Sequence, residues 1–194
     1  MRLLDERFQE LYELIPKFKS QAENSIIETA NKIAFAFNAG KKLLICGNGG
    51  SAADSQHFAA EFVNAFSRDL DRKSLPAIAL STDTSILTSI ANDFDFKNIF
   101  SRQVEALGKP GDILLAITTS GSSENCIRAL NAAKLLNMTT IVLTRSNAMA
   151  TTIASISIQV PSNNTQHIQE CHMLTYHVIT ELVENILFRT EQAK

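Results

Sequence analysis

The chain has 194 residues, 45% of them hydrophobic and 20% charged, with a formal net charge of −2. That length suits one domain with a full core, and the composition is that of a globular protein. No basic run suggests nucleic acid or an anionic lipid surface, no apolar stretch is long enough to span a bilayer, and the mixed-charge start lacks a signal-peptide core, so neither a nucleic-acid nor a membrane partner is expected.

Leu3, Leu4, Phe8, Leu11 and Leu14 recur at helical spacing, predicting a helix over 3–14 that stops before Pro16. A second helix is expected over 20–38, with Ile26, Ile27, Ala30, Ile33, Ala34 and Phe37 on one side and Ala39-Gly40 at its end. Residues 43–46, Leu-Leu-Ile-Cys, form the short apolar run of a buried parallel strand. Gly47-Asn48-Gly49-Gly50 follows, where glycine lets the backbone turn sharply and lie close to a ligand. Ser51 is a suitable N-cap for the alanine-rich helix beyond it, and free N–H groups at a helix start can receive an anion such as phosphate.

After a polar loop over 67–74, a strand is expected at 76–80. Thr82 is placed to cap a helix through Ile90, leaving Asn92 and Asp93 in a loop. A helix over 98–107, a turn over 108–112 and a strand over 113–117 come next. Thr118-Thr119-Ser120-Gly121-Ser122-Ser123 is a second hydroxyl- and glycine-rich loop, opening a helix over 124–136. Strands at 139–143 and 155–160 flank a short helix at 148–153. A long helix over 166–188 has Ile168, Leu174, Val178, Leu182 and Ile186 on its apolar face.

Strands alternate with helices, which predicts an α/β fold with a five-stranded parallel sheet between two helical layers. Ligands of such sheets sit beyond the carboxyl ends of the strands, the edge that carries both loops. No linker interrupts the chain, so 1–194 is expected to be a single domain, with N-terminal helices over 1–40 and an α/β core over 41–194. The end helices hold more apolar surface than one small sheet needs, which points to burial against other copies of the chain. Cys46, Cys126 and Cys171 are odd in number and widely spaced. They read as reduced thiols of a cytoplasmic protein, with no C-x-x-C to suggest structural zinc.

His57 and Glu61 stand at i and i+4 on the helix after the glycine loop, so both project from one face. Such a pair is commonly a solvated ion pair, and many strand–glycine–helix loops bind nothing. A phosphate cradle and a metal or acid/base pair on one short element favours the functional reading.

The run C-G-N-G-G-S-x-x-D-x-x-H-F-x-x-E, then A-N-D-F, T-S-G-x-S and I-Q-E-x-H-x-x-x-x-H, resembles the sugar isomerase (SIS) domain, and within it the phosphoheptose isomerases. The resemblance spans about residues 20–190 and implies a flavodoxin-like fold. It implies that Asn48, Gly49, Gly50 and Ser51 form the first sugar-phosphate loop, and that Thr118, Thr119, Ser120 and Ser123 form the phosphate-binding hydroxyl loop. Asn92 and Asp93 match a substrate-contacting loop, and Gln169 a residue shared by metal and substrate. His57, Glu61, Gln169 and His177 match zinc ligands, with Glu61 and His177 also catalytic and Glu61 also substrate-binding. One zinc per subunit, a sugar-phosphate substrate, and a homotetramer with interfacial active sites are implied as well. The expected activity converts sedoheptulose 7-phosphate to an aldose phosphate for lipopolysaccharide-core or other surface-glycan heptose.

Asn64-Ala65-Phe66 stands where these enzymes often carry Gly-Arg-aromatic, His167 where an Arg usually precedes I-Q-E, and Thr118 where Ser is usual. The alternative is a non-catalytic, DiaA-like member that binds the DnaA replication initiator, but such a member lacks the acid and the last histidine that Glu61 and His177 provide. Sugar-phosphate-sensing regulators add a helix-turn-helix for which the segment before the first strand offers no basic cluster. Gln169 and His177 are eight residues apart on one predicted helix, a rise of about 12 Å. That predicts either a strained reach to one ion or a site completed by a neighbouring copy. His172 is read as structural, His167 as a substrate or phosphate neighbour with its charged form disfavoured by the helix dipole, and Asp54 as solvated or bridging.

Overall fold

The computed structural model describes residues 2–189; residue 1 and residues 190–194, which the single-domain expectation includes, lie outside that range. Five strands form one parallel sheet: β1 (Leu43–Gly47), β2 (Ala77–Ala79), β3 (Ile113–Ile117), β4 (Thr139–Arg145) and β5 (Ile156–Val160). Their order is β2-β1-β3-β4-β5, the flavodoxin-like arrangement, whose strand order reverses between β1 and β3. In register, Gly47 lies beside Ile117, so the residues following both strands emerge together at that reversal.

Alternation along the strands sorts the core into two faces. Leu43, Ile45, Leu115, Ile117, Ile141, Leu143 and Ile158 pack with residues of α1 (Arg2–Asn38), α2 (Gly50–Val63) and α6 (Thr165–Glu184). Leu44, Cys46, Leu114, Ala116 and Val142 pack on the other face with residues of α3 (Thr84–Asp93), α4 (Ser101–Leu107) and α5 (Glu124–Leu135). The expected three layers are present.

Several expected boundaries are corrected. The two N-terminal helices are one helix of 37 residues with Pro16 inside it. Leu14, Phe18 and Ala22 are buried in one core stripe on both sides of the proline, and this packing outweighs the lost hydrogen bond. Pro16 itself is exposed, where the carbonyl it leaves unbonded can face water. Thr82 does not cap α3: Asp83 does, accepting from the Ile86 N–H at 2.9 Å, while the Thr82 hydroxyl donates to the Ala79 carbonyl. Asn92 and Asp93 therefore close α3 instead of lying in a loop. The 98–107 helix separates into a 3-10 turn at Phe96–Asn98 and α4, and the 148–153 segment is a 3-10 turn at Met149–Thr152. Ser51 is not an N-cap; Gly49 caps α2 without a side-chain bond, and Ser51 is buried in the first turn. The last helix ends in a π turn at Asn185–Arg189.

Candidate active site

Helices α2 and α6 lie side by side. Gln169 of α6 donates to Asp54 of α2 at 2.9 Å, and further along both helices His177 packs edge-on against His57, with ring centroids 5.1 Å apart. Both residue numbers rise together, so the helices run parallel and start at the same sheet edge.

His57 and Glu61 sit one turn apart, with Nε2 of His57 2.9 Å from Oε1 of Glu61. The other ring nitrogen, Nδ1, lies 3.0 Å from the Tyr176 hydroxyl. Tyr176 is buried and stacks on Phe58 at 5.3 Å. One donor atom each from His57, Glu61 and His177 lies within 4.8 Å of the others. Two imidazoles and a carboxylate suit zinc, which keeps a further position open when catalytic. Tyr176 supplies the outer partner that fixes the His57 ring. The ligand set therefore fits the ion that the resemblance implies.

Burial and the neighbouring His57 lower the His177 pKa, against the pull of Glu61, so its imidazole is neutral near pH 7 and can bind a metal or take a proton. Burial raises the pKa of Asp54, opposed by the Gln169 hydrogen bond and by His57. Burial, with Asp54 and Glu61 nearby, pushes the Tyr176 hydroxyl up to about 12, keeping it protonated.

At the sheet edge, Gly49 has φ of 55° and open space where a Cβ would stand, while a Cβ on Gly50 would come within 2.5 Å of the Gln169 amide. Gln169 thus closes over the glycine loop. Asn48 and Asn125 exchange amide hydrogen bonds of 2.8 and 2.9 Å, joining the glycine loop to the first turn of α5. In the hydroxyl loop, Thr118 Oγ1 lies 3.2 Å from Ser123 Oγ and 3.4 Å from Ser120 Oγ, and accepts from the Gly121 N–H. Ser123 opens α5 but its hydroxyl does not cap the helix, leaving the first turn without that partner. Thr119 is half-buried beside them.

Other expectations change. Gln169 and His177 are not strained toward one point: each meets a different stretch of α2. His57, Glu61 and His177 converge within one chain, so these three need no neighbouring copy. Asn92 donates to Asp93 at 2.8 Å, and both are exposed at the end of α3. His167 is no phosphate neighbour. It is buried between Glu170 (2.9 Å) and Glu10 (2.8 Å), and these carboxylates raise its pKa against the opposing effect of burial. Asp54 is bridging and buried, not solvated. The sequence alone assigns no role to Tyr176, Asn125, Arg72 or Glu184. Tyr176 adjoins His177 but looks like any core aromatic, and Asn125 had only its place after the hydroxyl loop as a signal.

The SIS domain family matches residues 7–145, which defines the class of fold and site. A phosphoheptose isomerase of Aquifex aeolicus is 50% identical over 181 residues, covering 93% of this chain and 94% of that protein. Solved phosphoheptose isomerases of Neisseria gonorrhoeae and Francisella tularensis superpose with TM-scores of 0.89 and 0.90, at 36% and 34% identity. Each alignment covers 95% of this chain, with 98% and 97% of the respective partner. The chain belongs to the phosphoheptose isomerase family.

Proposed function

We propose that this protein interconverts sedoheptulose 7-phosphate and D-glycero-D-manno-heptose 7-phosphate, supplying heptose for lipopolysaccharide core or another surface glycan. The observation that carries the reading is the meeting of Glu61 and His177, with His57, in one chain beside two anion-ready loops. The same meeting favours catalysis over the initiator-binding alternative, since both groups that alternative lacks are here and face each other.

The Glu61 carboxylate takes the proton from C1 of the ketose. The C1–H electron pair becomes the C1–C2 double bond, and the C2 carbonyl oxygen accepts a proton, giving an enediol. Returning the proton to C2, while the C1 hydroxyl gives up its own, leaves the aldose. The neutral His177 imidazole carries the proton between the two oxygens. Asn48, Gly49, Gly50, Ser51, Thr118, Thr119, Ser120 and Ser123 hold the phosphate and adjacent sugar. Asn92 and Asp93 contact the sugar chain from the end of α3.

His57, Glu61 and His177 would hold one zinc. Gln169, which lines a cavity of about 490 Å³ with His177, would complete the set only if its amide left Asp54 and its side chain reached along α6. When bound, the ion would supply Lewis-acid polarisation of the sugar oxygens.

An apolar groove of about 350 Å³ between α1 and α6, lined by Ile15, Phe18, Ile26, Leu174, Val178 and Leu182, supports burial against further copies, with a homotetramer as the assembly. Among the described residues no helix is long and apolar enough to cross a membrane, in keeping with a cytoplasmic setting. The test is incubation of zinc-analysed protein with sedoheptulose 7-phosphate and detection of the aldose product by NMR. Zinc-loaded protein that forms no product, yet captures the initiator protein, would overturn the reading.

A further inference from the structure

A buried ion pair outside the cluster touches both of its halves. Arg72 follows α2 and Glu184 ends α6; their side chains are 0% and 2% exposed. Arg72 Nε donates to Glu184 Oε1 at 2.7 Å. Its Nη2 donates to the Glu61 carbonyl at 2.8 Å, and its Nη1 to the carbonyls of Phe62 at 2.9 Å and Lys73 at 3.0 Å. The Glu184 carboxylate accepts the backbone N–H groups of Phe66 at 3.1 Å and Ser67 at 3.2 Å. The Phe66 ring in turn lies against the His177 ring, with centroids 5.7 Å apart.

The last carbonyls of a helix have no partner within it. Here a guanidinium supplies one for the turn that carries Glu61, while its partner carboxylate fixes the loop that packs on His177. Stability alone does not call for this arrangement. A buried ion pair is expensive to desolvate, and an apolar pair of similar volume often stabilises as well. An apolar pair could not bond the Glu61 carbonyl and the Phe66 N–H at once, and a lysine lacks the fork that reaches several acceptors.

We propose that Arg72 and Glu184 are positioning residues for the isomerisation: they fix Glu61 from one side and, through Phe66, His177 from the other. The proposal rests on Glu61 and His177 being the proton-transfer pair. Neither Arg72 nor Glu184 touches substrate; both act by holding these two groups in register.

The test compares Arg72→Met/Glu184→Leu, which leaves no lone buried charge, with Arg72→Lys and Glu184→Gln. The double variant is expected to stay folded, with its melting temperature lowered by about 5–15 °C because the backbone groups that Arg72 and Glu184 bond lose those partners. Its kcat should fall about 10–100-fold while KM stays within about threefold. Glu184→Gln keeps an oxygen for Arg72 and Phe66, and should retain kcat within about threefold. A folded double variant with kcat near wild type would overturn the proposal. If the double variant does not fold, Arg72→Lys is judged by the same split between kcat and KM. A crystal structure of the folded variant is read without substrate: displacement of Phe66 from His177, or of Glu61, is expected, and an unmoved pair of groups would refute the positioning role. Wild-type protein without turnover would instead sink the assignment of Glu61 and His177.

Discussion

His172 offers a direct test of how burial acts in this fold. It is fully buried, and neither ring nitrogen has a hydrogen-bond partner of good geometry. Burial drives its pKa from 6.5 down to about 4, the nearby Thr144 backbone offsetting little of the effect. The unfolded chain takes up a proton on this ring below pH 6.5, while the folded chain resists until about pH 4. The contribution is therefore fully present above the unfolded value and is lost as pH falls toward the folded one. At about 1.4 kcal/mol per unit, the loss is about 2 kcal/mol between pH 7 and pH 5 and about 3 kcal/mol by pH 4. His172→Leu removes the titration without leaving an unsatisfied polar atom, so at pH 7 it should change stability by less than about 1 kcal/mol. The assay is urea unfolding of both proteins at pH 7 and pH 5, at one protein concentration so that assembly does not confound the comparison. The wild type should lose about 2 kcal/mol more than the variant; equal losses would refute the argument.

Glu61→Gln and His177→Ala should each lower kcat by about 10²–10⁴-fold with little change in melting temperature, as read by NMR product assay and thermal melts. Gly50→Ala places a Cβ within 2.5 Å of the Gln169 amide; because the amide is the movable end of its side chain, the fold should survive while KM for the sugar phosphate rises about tenfold, measured from initial rates. Pro16→Ala restores a helix-interior N–H at an exposed position, and should stabilise by up to about 3 kcal/mol in urea unfolding.

The layered fold was legible because its signals are local. Each strand is an apolar run bounded by glycine, proline or hydroxyl residues, and alternation with helices leaves a parallel sheet as the consistent arrangement. Pro16 misled because its cost is local while its compensation, burial of Leu14 and Phe18 on the same stripe, is tertiary. The α3 start misled for a smaller reason: Thr82 and Asp83 are both good caps, and only the path of the chain after β2 decides which faces the Ile86 N–H.

The site divides along the same line. His57 and Glu61 could be paired from spacing because a helix fixes their geometry, and the two loops could be placed on one edge because every parallel strand ends there. What spacing could not supply was the relation between α2 and α6. Gln169 and His177, read along one helix, pose the problem of two ligands about 12 Å apart. A second helix running parallel meets each of them separately, Asp54 at one level and His57 with Glu61 at the next, so that Gln169 alone would have to reach. On the proposed reading, phosphate grip and proton transfer would be separated along a single helix pair, with Gln169 at the glycine loop and His177 about two turns further along. Arg72 and Glu184, 112 residues apart, tie the far end of that pair together. A change that tilts the two helices should therefore disturb the Glu61–His177 end more than the loop end, where the Asn48–Asn125 amide pair ties the glycine loop to the start of α5.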